Sequence, residues 1–129
     1  MERARSAGVE NILVDVGVLD LQSTAWSALA IREVKERLGL PCGCAPSNAL
    51  FSWQKHHRQR LAREDALSAT GAAVYSLPIN WGADFLFYGP MRCAPWVYPA
   101  CAVADALVAY GAKLSGTRPR QSTHPLHRI

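Results

Sequence analysis

Two polar side chains stand where apolar runs of this sequence give out, and their types suit the recognition of a flat heterocycle. Asp15 interrupts the β-branched run at 12–16 ("ILVDV"), and Asn48 follows Pro46 and Ser47 after the apolar run at 40–44 ("LPCGC"). A carboxylate near the end of a buried strand costs free energy unless donors reach it. Those donors can be loop amides or the next helix's N-terminus, or the ring N–H groups of a ligand. A neutral amide both donates and accepts, so Asn48 could read a ring nitrogen; it could equally close an Asx-turn after Pro46. Asp20 reads more simply, as a turn or capping residue before Leu21. No Ser/His/Asp relay is evident, since His56 and His57 fall on a strongly charged helical segment.

The elements that must hold these residues come in three strand–helix units. The run at 12–16 reads as a strand buried on both faces of a parallel sheet. Ser23 or Thr24 can cap the helix after it and Gly39 can end it, with Ile31, Val34 and Leu38 on one stripe and a Glu33–Arg37 pair at i,i+4. The second unit starts at 40–44 and continues into one long helical stretch over 52–77. The third strand is 84–88 ("DFLFY"), closed by Gly89 and Pro90, and the last helix opens at Pro99 and runs to Gly111. The end of another helix precedes all of this ("MERARSAG"). Strands alternating with helices predict a parallel α/β sheet with right-handed crossovers. Ligands of such sheets bind at the carboxyl ends of the strands. Asp15, Asn48 and the Tyr88-Gly89-Pro90 corner are therefore expected on one rim.

Composition narrows the alternatives. At 129 residues, 50% hydrophobic and 19% charged, the chain has the make-up of one globular domain. No apolar run is seen to approach the roughly 20 residues that span a bilayer, and the charged start does not read as a signal peptide, so a cytoplasmic protein without membrane insertion is expected. The net charge of +4 sits in two places: the tail with Arg118, Arg120 and Arg128, and the cluster His56, His57, Arg58, Arg60 and Arg63. Both read as solvated faces or frayed ends rather than as a nucleic-acid surface. Cys42 and Cys44 are too close for a zinc knuckle, and no partner pair follows at a finger spacing. The four cysteines are therefore read as small, buried and reduced, and no metal site is expected.

Three segments carry a resemblance: "ENILVDVGVLD" (10–20), "GLPCGCAPSNA" (39–49) and "GADFLFYGPMRCAPWVYPACAVADALVAYGA" (82–112). In that order they resemble the C-terminal part of the H subunit of tetrahydromethanopterin S-methyltransferase. The likeness runs over nearly all of 1–112 and is weaker in "HHRQRLAREDALSATG" and from Lys113 onward. The resemblance implies the C-terminal portion, about three βα units, of a (β/α)8 TIM barrel of the pterin-binding kind. Residues 1–112 would form this partial methyltransferase domain and 113–129 a basic, disordered tail. The implied activity moves a methyl group from N5 of methyl-tetrahydromethanopterin, or of methyl-tetrahydrofolate, to the cobalt of a cobalamin-type corrinoid carried by a partner protein.

Site roles follow from the same resemblance. Asp15 resembles the strand-end aspartate that accepts from the pterin ring. Asn48 resembles the asparagine of a Gly-x-Ser-Asn turn that reaches toward N5, and Ser47 stands beside it as a further pterin contact. Ala45 occupies the usual glycine of that turn. Trp96 and Tyr98, in "MRCAPWVY", are expected either at the mouth through which a corrinoid enters or packing the last helix on the barrel. A barrel of this kind takes about 250 residues and eight strands. The chain is therefore expected to need a complementing half, or to be a truncated, split or self-associating piece, inactive alone. Its partners would be a corrinoid protein or corrinoid-carrying subunit, and a homo-oligomer or complementing barrel half, with no nucleic acid. A non-catalytic half-barrel serving only assembly is the alternative.

Overall fold

A computed structural model describes residues 2–124 and His127. Part of the expected 113–129 tail, Arg128 included, lies outside the described residues. The elements run α1 (Glu2–Ser6), β1 (Val14–Asp15), α2 (Leu21–Leu38), β2 (Cys42–Cys44), α3 (Pro46–His56), α4 (Glu64–Asn80), β3 (Phe85–Leu86), a 3₁₀ turn (Met91–Cys93) and α5 (Ala94–Leu114). The strands lie in the order β1-β2-β3, all parallel, with Val14 opposite Cys42, Asp15 opposite Gly43, and Gly43 opposite Phe85. This is an open α/β sheet of three βα units, a partial (β/α) barrel rather than a closed one.

Alternation along the strands sends side chains to opposite faces. Cys42 and Cys44 point into a core with Val18, Ile31, Leu50, Val74, Tyr75 and Val97, against which Val14, Val16 and Leu86 also pack. The helices cover that face alone. On the other, Leu13 is 65% exposed and Phe87 54%. Gly43 is buried there because the Phe85 ring lies over it: a Cβ at Gly43 would fall 2.7 Å from that ring and against the Phe85 carbonyl oxygen. At the opposite end from the site, Asp84 joins three elements. One oxygen meets Lys35 Nζ at 2.6 Å and the other accepts from the Cys42 amide at 2.9 Å.

Several boundaries differ from the sequence expectations. The paired strands are shorter, because β1 and β3 each have a neighbour on one side only; ladder bonds from Val16 N and Phe87 N carry the pairing a little further. The expected single helix over 52–77 is two helices. The Lys55 cation lies in the last turn of α3, while Glu64 and Asp65 begin α4. Each charge set suits the dipole of the terminus it occupies, so the break stabilises both helices. The cap of α2 is Asp20, whose side chain accepts from Ser23 N while Ser23 Oγ accepts from Asp20 N, a reciprocal capping box. Gly39, at φ 61°, ends this helix, and Glu33 pairs with Arg37.

The last helix begins at Ala94 with Pro95 in its first turn, so Pro99 lies inside it. It also passes Gly111, around which a Cβ would meet nothing. The stop is Gly116, at φ 82°: its amide donates to Lys113 O and that of Thr117 to Ala112 O. That pair of bonds is a Schellman closure. The expectation that no apolar run approaches membrane-spanning length also needs correction. Met91–Leu114, 24 residues, is long and apolar enough by length and composition alone. In the fold α5 packs on α4 through Val97, Ala104 and Trp96, which rests its ring where a Cβ of Gly71 would be.

Candidate functional site

The three loops that leave the carboxyl ends of the strands are tied to one another. Asp15 is exposed, and its Oδ1 accepts from Gly17 N at 2.9 Å. That bond fixes the carboxylate, and Gly17, at φ 69°, then turns the chain away from the strand. Oδ2 accepts no hydrogen bond from the described residues. Since Val14 packs against the core, alternation turns Asp15 to the uncovered side of the sheet. Further on, Val18 is buried, and its carbonyl accepts from Asn48 Nδ2 at 2.8 Å. Asp20 then caps α2; the Ser23 amide and hydroxyl hold its carboxyl below the usual range.

Asn48 is reached from β2 through a helix start rather than a free turn. Pro46 takes the first position of α3, where its missing N–H is no loss, so Asn48 is the third helical residue. Its side chain is exposed. Because Val18 offers an acceptor, the amide's nitrogen must point there, which settles the orientation of the group. One N–H is thereby committed. The second N–H and the oxygen have no hydrogen-bond partner among the described residues.

Ser47 faces the other way. It is 7% exposed and lies under the corner after β3: a Cβ at Gly89, where φ is 81°, would come within 2.9 Å of Ser47 Cβ. Its hydroxyl meets that of Tyr75, which donates to Tyr88 O at 2.5 Å. Burial pushes the Tyr75 phenol well up, so it stays a donor. Loops one, two and three are thus linked by the Val18–Asn48 bond and the Ser47–Gly89 contact. Asp15, Asn48 and the Gly89 corner do share a rim.

The two aromatic candidates diverge. Trp96 is half-buried, edge-on to Tyr75 at 5.6 Å between ring centres, and cements α5 to α4. Tyr98 is 60% exposed, 5.4 Å from the Tyr88 ring. A cavity of about 340 Å³ lined by Phe85, Leu86, Val97, Tyr98 and Cys101 follows the open edge of β3 and includes neither Asp15 nor Asn48. Cys42, Cys44 and Cys93 are buried and all four cysteines are free. Burial pushes the Cys44 thiol up to about 12, so it is no nucleophile at neutral pH. Among the described residues no three of His, Cys, Asp and Glu converge as a metal set.

From the sequence, 55–60 is expected as a solvated helix face. In the structure the chain turns back there: Arg60 N and Leu61 N both donate to His57 O at 3.1 Å, and Leu61, 7% exposed, anchors the turn. Lys55, His56, His57, Arg58 and Arg60 line a groove of about 410 Å³. A second groove, of about 440 Å³, shares His56 and His57 and reaches Asp20, Gln22, Ser52 and Trp53. The signal for it in the sequence is a run of cations with no acid before Glu64.

The family model for the tetrahydromethanopterin S-methyltransferase MtrH subunit matches residues 1–120. The H subunit of tetrahydromethanopterin S-methyltransferase from Methanothermobacter thermautotrophicus is 30% identical over 130 residues, all of this chain and 42% of that protein. The corresponding proteins of Methanopyrus kandleri and Methanococcus maripaludis are 30% and 32% identical, again over all of this chain and 43% of theirs. The chain thus spans less than half the length of the curated relatives it matches.

Proposed function

The chain belongs to the tetrahydromethanopterin S-methyltransferase MtrH subunit family, and from that premise we propose that it forms part of a methyltransferase site that takes the methyl group from N5 of a methyl-tetrahydropterin. The acceptor in this reading is the cobalt of a corrinoid carried by a partner protein, and the setting is the cytoplasm. The observation that carries it is Asn48: an exposed amide, its orientation set by Val18 O, with one N–H left over.

The chemistry asks for such a group. A tertiary amine leaves poorly, so the methyl departs as electron density returns to N5, which finally takes a proton from solvent. A fixed N–H aimed at N5 stabilises that change without itself titrating. Asp15, with Oδ1 held by Gly17 and Oδ2 left over, accepts from the N–H groups of the pterin ring. Ser47 backs Asn48 from beneath, steadying the first turn of α3 against Gly89. Tyr98 offers an exposed ring on the side where the partner's corrinoid must approach, with Trp96 holding the helix that carries it. The corrinoid supplies the nucleophile; the residues of this chain orient the donor and answer the charge on N5.

The bare sheet face and both sheet edges favour a complementing barrel portion, or a second copy, as the remainder of the site. We expect no turnover from the 129-residue chain alone. Binding is tested by pterin-dependent thermal stabilisation of this chain. Catalysis is tested in a complete barrel bearing Asn48→Ala: methyl transfer should fall about 100-fold with pterin affinity little changed. An unchanged rate would reduce Asn48 to the tie that holds Val18.

A further inference from the structure

We propose that the turn between α3 and α4 binds an anionic group, carboxylate or phosphate, at the far end of a pterin substrate whose ring lies against Asn48. This rests on the pterin reading above and extends it to the substrate's tail. The turn is built rather than frayed, closed by two bonds to His57 O and pinned by buried Leu61. Among the described residues, Arg63 is paired with Asp65, whereas Lys55, Arg58 and Arg60 are exposed and have no acidic partner. Three uncompensated cations around one groove of about 410 Å³ repel one another, and an anion between them relieves that repulsion.

The path from ring to tail is also present. Asn48, Ser52 and His56 recur every four residues, so they share one face of α3. Eight residues of helix cover about 12 Å. Ser52 and His56 line the groove that joins the cationic turn through His56 and His57, and His56 Nδ1 lies 2.8 Å from Ser52 O. Trp53, its ring tilted by 41° against that of His57 with ring centres 4.0 Å apart, supplies an apolar wall beside that path. A substrate whose ring lies beside Asn48 and whose tail is laid along α3 brings a terminal anion to Lys55, Arg58 and Arg60. The α3 helix sets the spacing between the ring and that anion.

The test uses the 129-residue chain and its K55Q/R58Q/R60Q variant, whose exposed substitutions should leave the far-ultraviolet circular dichroism unchanged. Calorimetric titrations compare a methyl-tetrahydropterin without a tail, one with a glutamate-bearing tail, and inorganic phosphate. In the unaltered chain the tail should tighten binding about tenfold, and phosphate should compete with the tailed ligand only. In the variant that advantage should vanish while the tail-less pterin binds as before. If the tail adds nothing, or its gain survives in the variant, the proposal is overturned and the pterin reading stands. If neither pterin binds, yet phosphate saturates the unaltered chain and not the variant, the anion site stands and the pterin reading fails.

Discussion

The two faces of the sheet are made by the same few residues and live under opposite rules. On the helix side Cys42, Cys44, Ile31, Leu50 and Tyr75 are shut away from water. On the other side Leu13, Asp15 and Phe87 stand in it, one peptide unit away from half-buried neighbours. Stability accumulates on the first face, where apolar burial is worth about 25 cal/mol per Å². The second holds the groups left with unused hydrogen-bonding capacity. A parallel strand therefore lets a fold separate what holds it together from what it can touch.

Gly43 is where the contrast is sharpest, since its missing Cβ leaves room for Phe85. Gly43→Val should be the most damaging change, costing about 3 kcal/mol by overpacking and opening the β2–β3 pairing. A urea midpoint near that of the unaltered chain would mean the strands can slide apart without cost. On the covered face, Tyr75→Phe removes the donor to Tyr88 O and leaves a shielded carbonyl unpaired. About 1.5 kcal/mol should be lost in the same denaturation experiment. On the bare face, Phe87→Ser should change monomer stability by under about 0.5 kcal/mol. Sedimentation of the same variant should show less self-association. A stability loss as large as that of Tyr75→Phe would show that this face is covered in solution and that the contrast is wrong.

The order of strands and helices is legible in the sequence because it rests on local pattern. β-branched runs, a C-terminal Gly39 and an i,i+4 pair such as Glu33–Arg37 signal themselves within a few residues. Sequence and structure part where two local signals compete. Pro99 looks like a helix start, but Pro95 already fills that role. Gly111 looks like a stop, but Gly116 has the left-handed backbone that makes one. The break between α3 and α4 is written in charge and hidden by the helical composition of both flanks. Asn48 can be put at the end of a strand from its neighbours alone. Its bond to Val18, 30 residues away, cannot, nor can the contact of Ser47 with Gly89. Such ties depend on three loops arriving together, and no periodicity records them.

The strand pairing has a kinetic consequence. Val14 meets Cys42 and Gly43 meets Phe85 only after roughly 30 and 40 intervening residues have been organised, the kind of distant contact that slows folding. Closing the longer loop costs only about 0.4 kcal/mol more than the shorter, so distance hardly decides which pair forms first. The intervening helices decide it. Between β1 and β2 lies one helix with a reciprocal cap at one end and a glycine stop at the other. Between β2 and β3 lie two, α3 and α4, neither with a side-chain cap. The first unit should nucleate and the last strand should join late, so the edge of β2 waits, briefly unprotected, for the rest of its own chain.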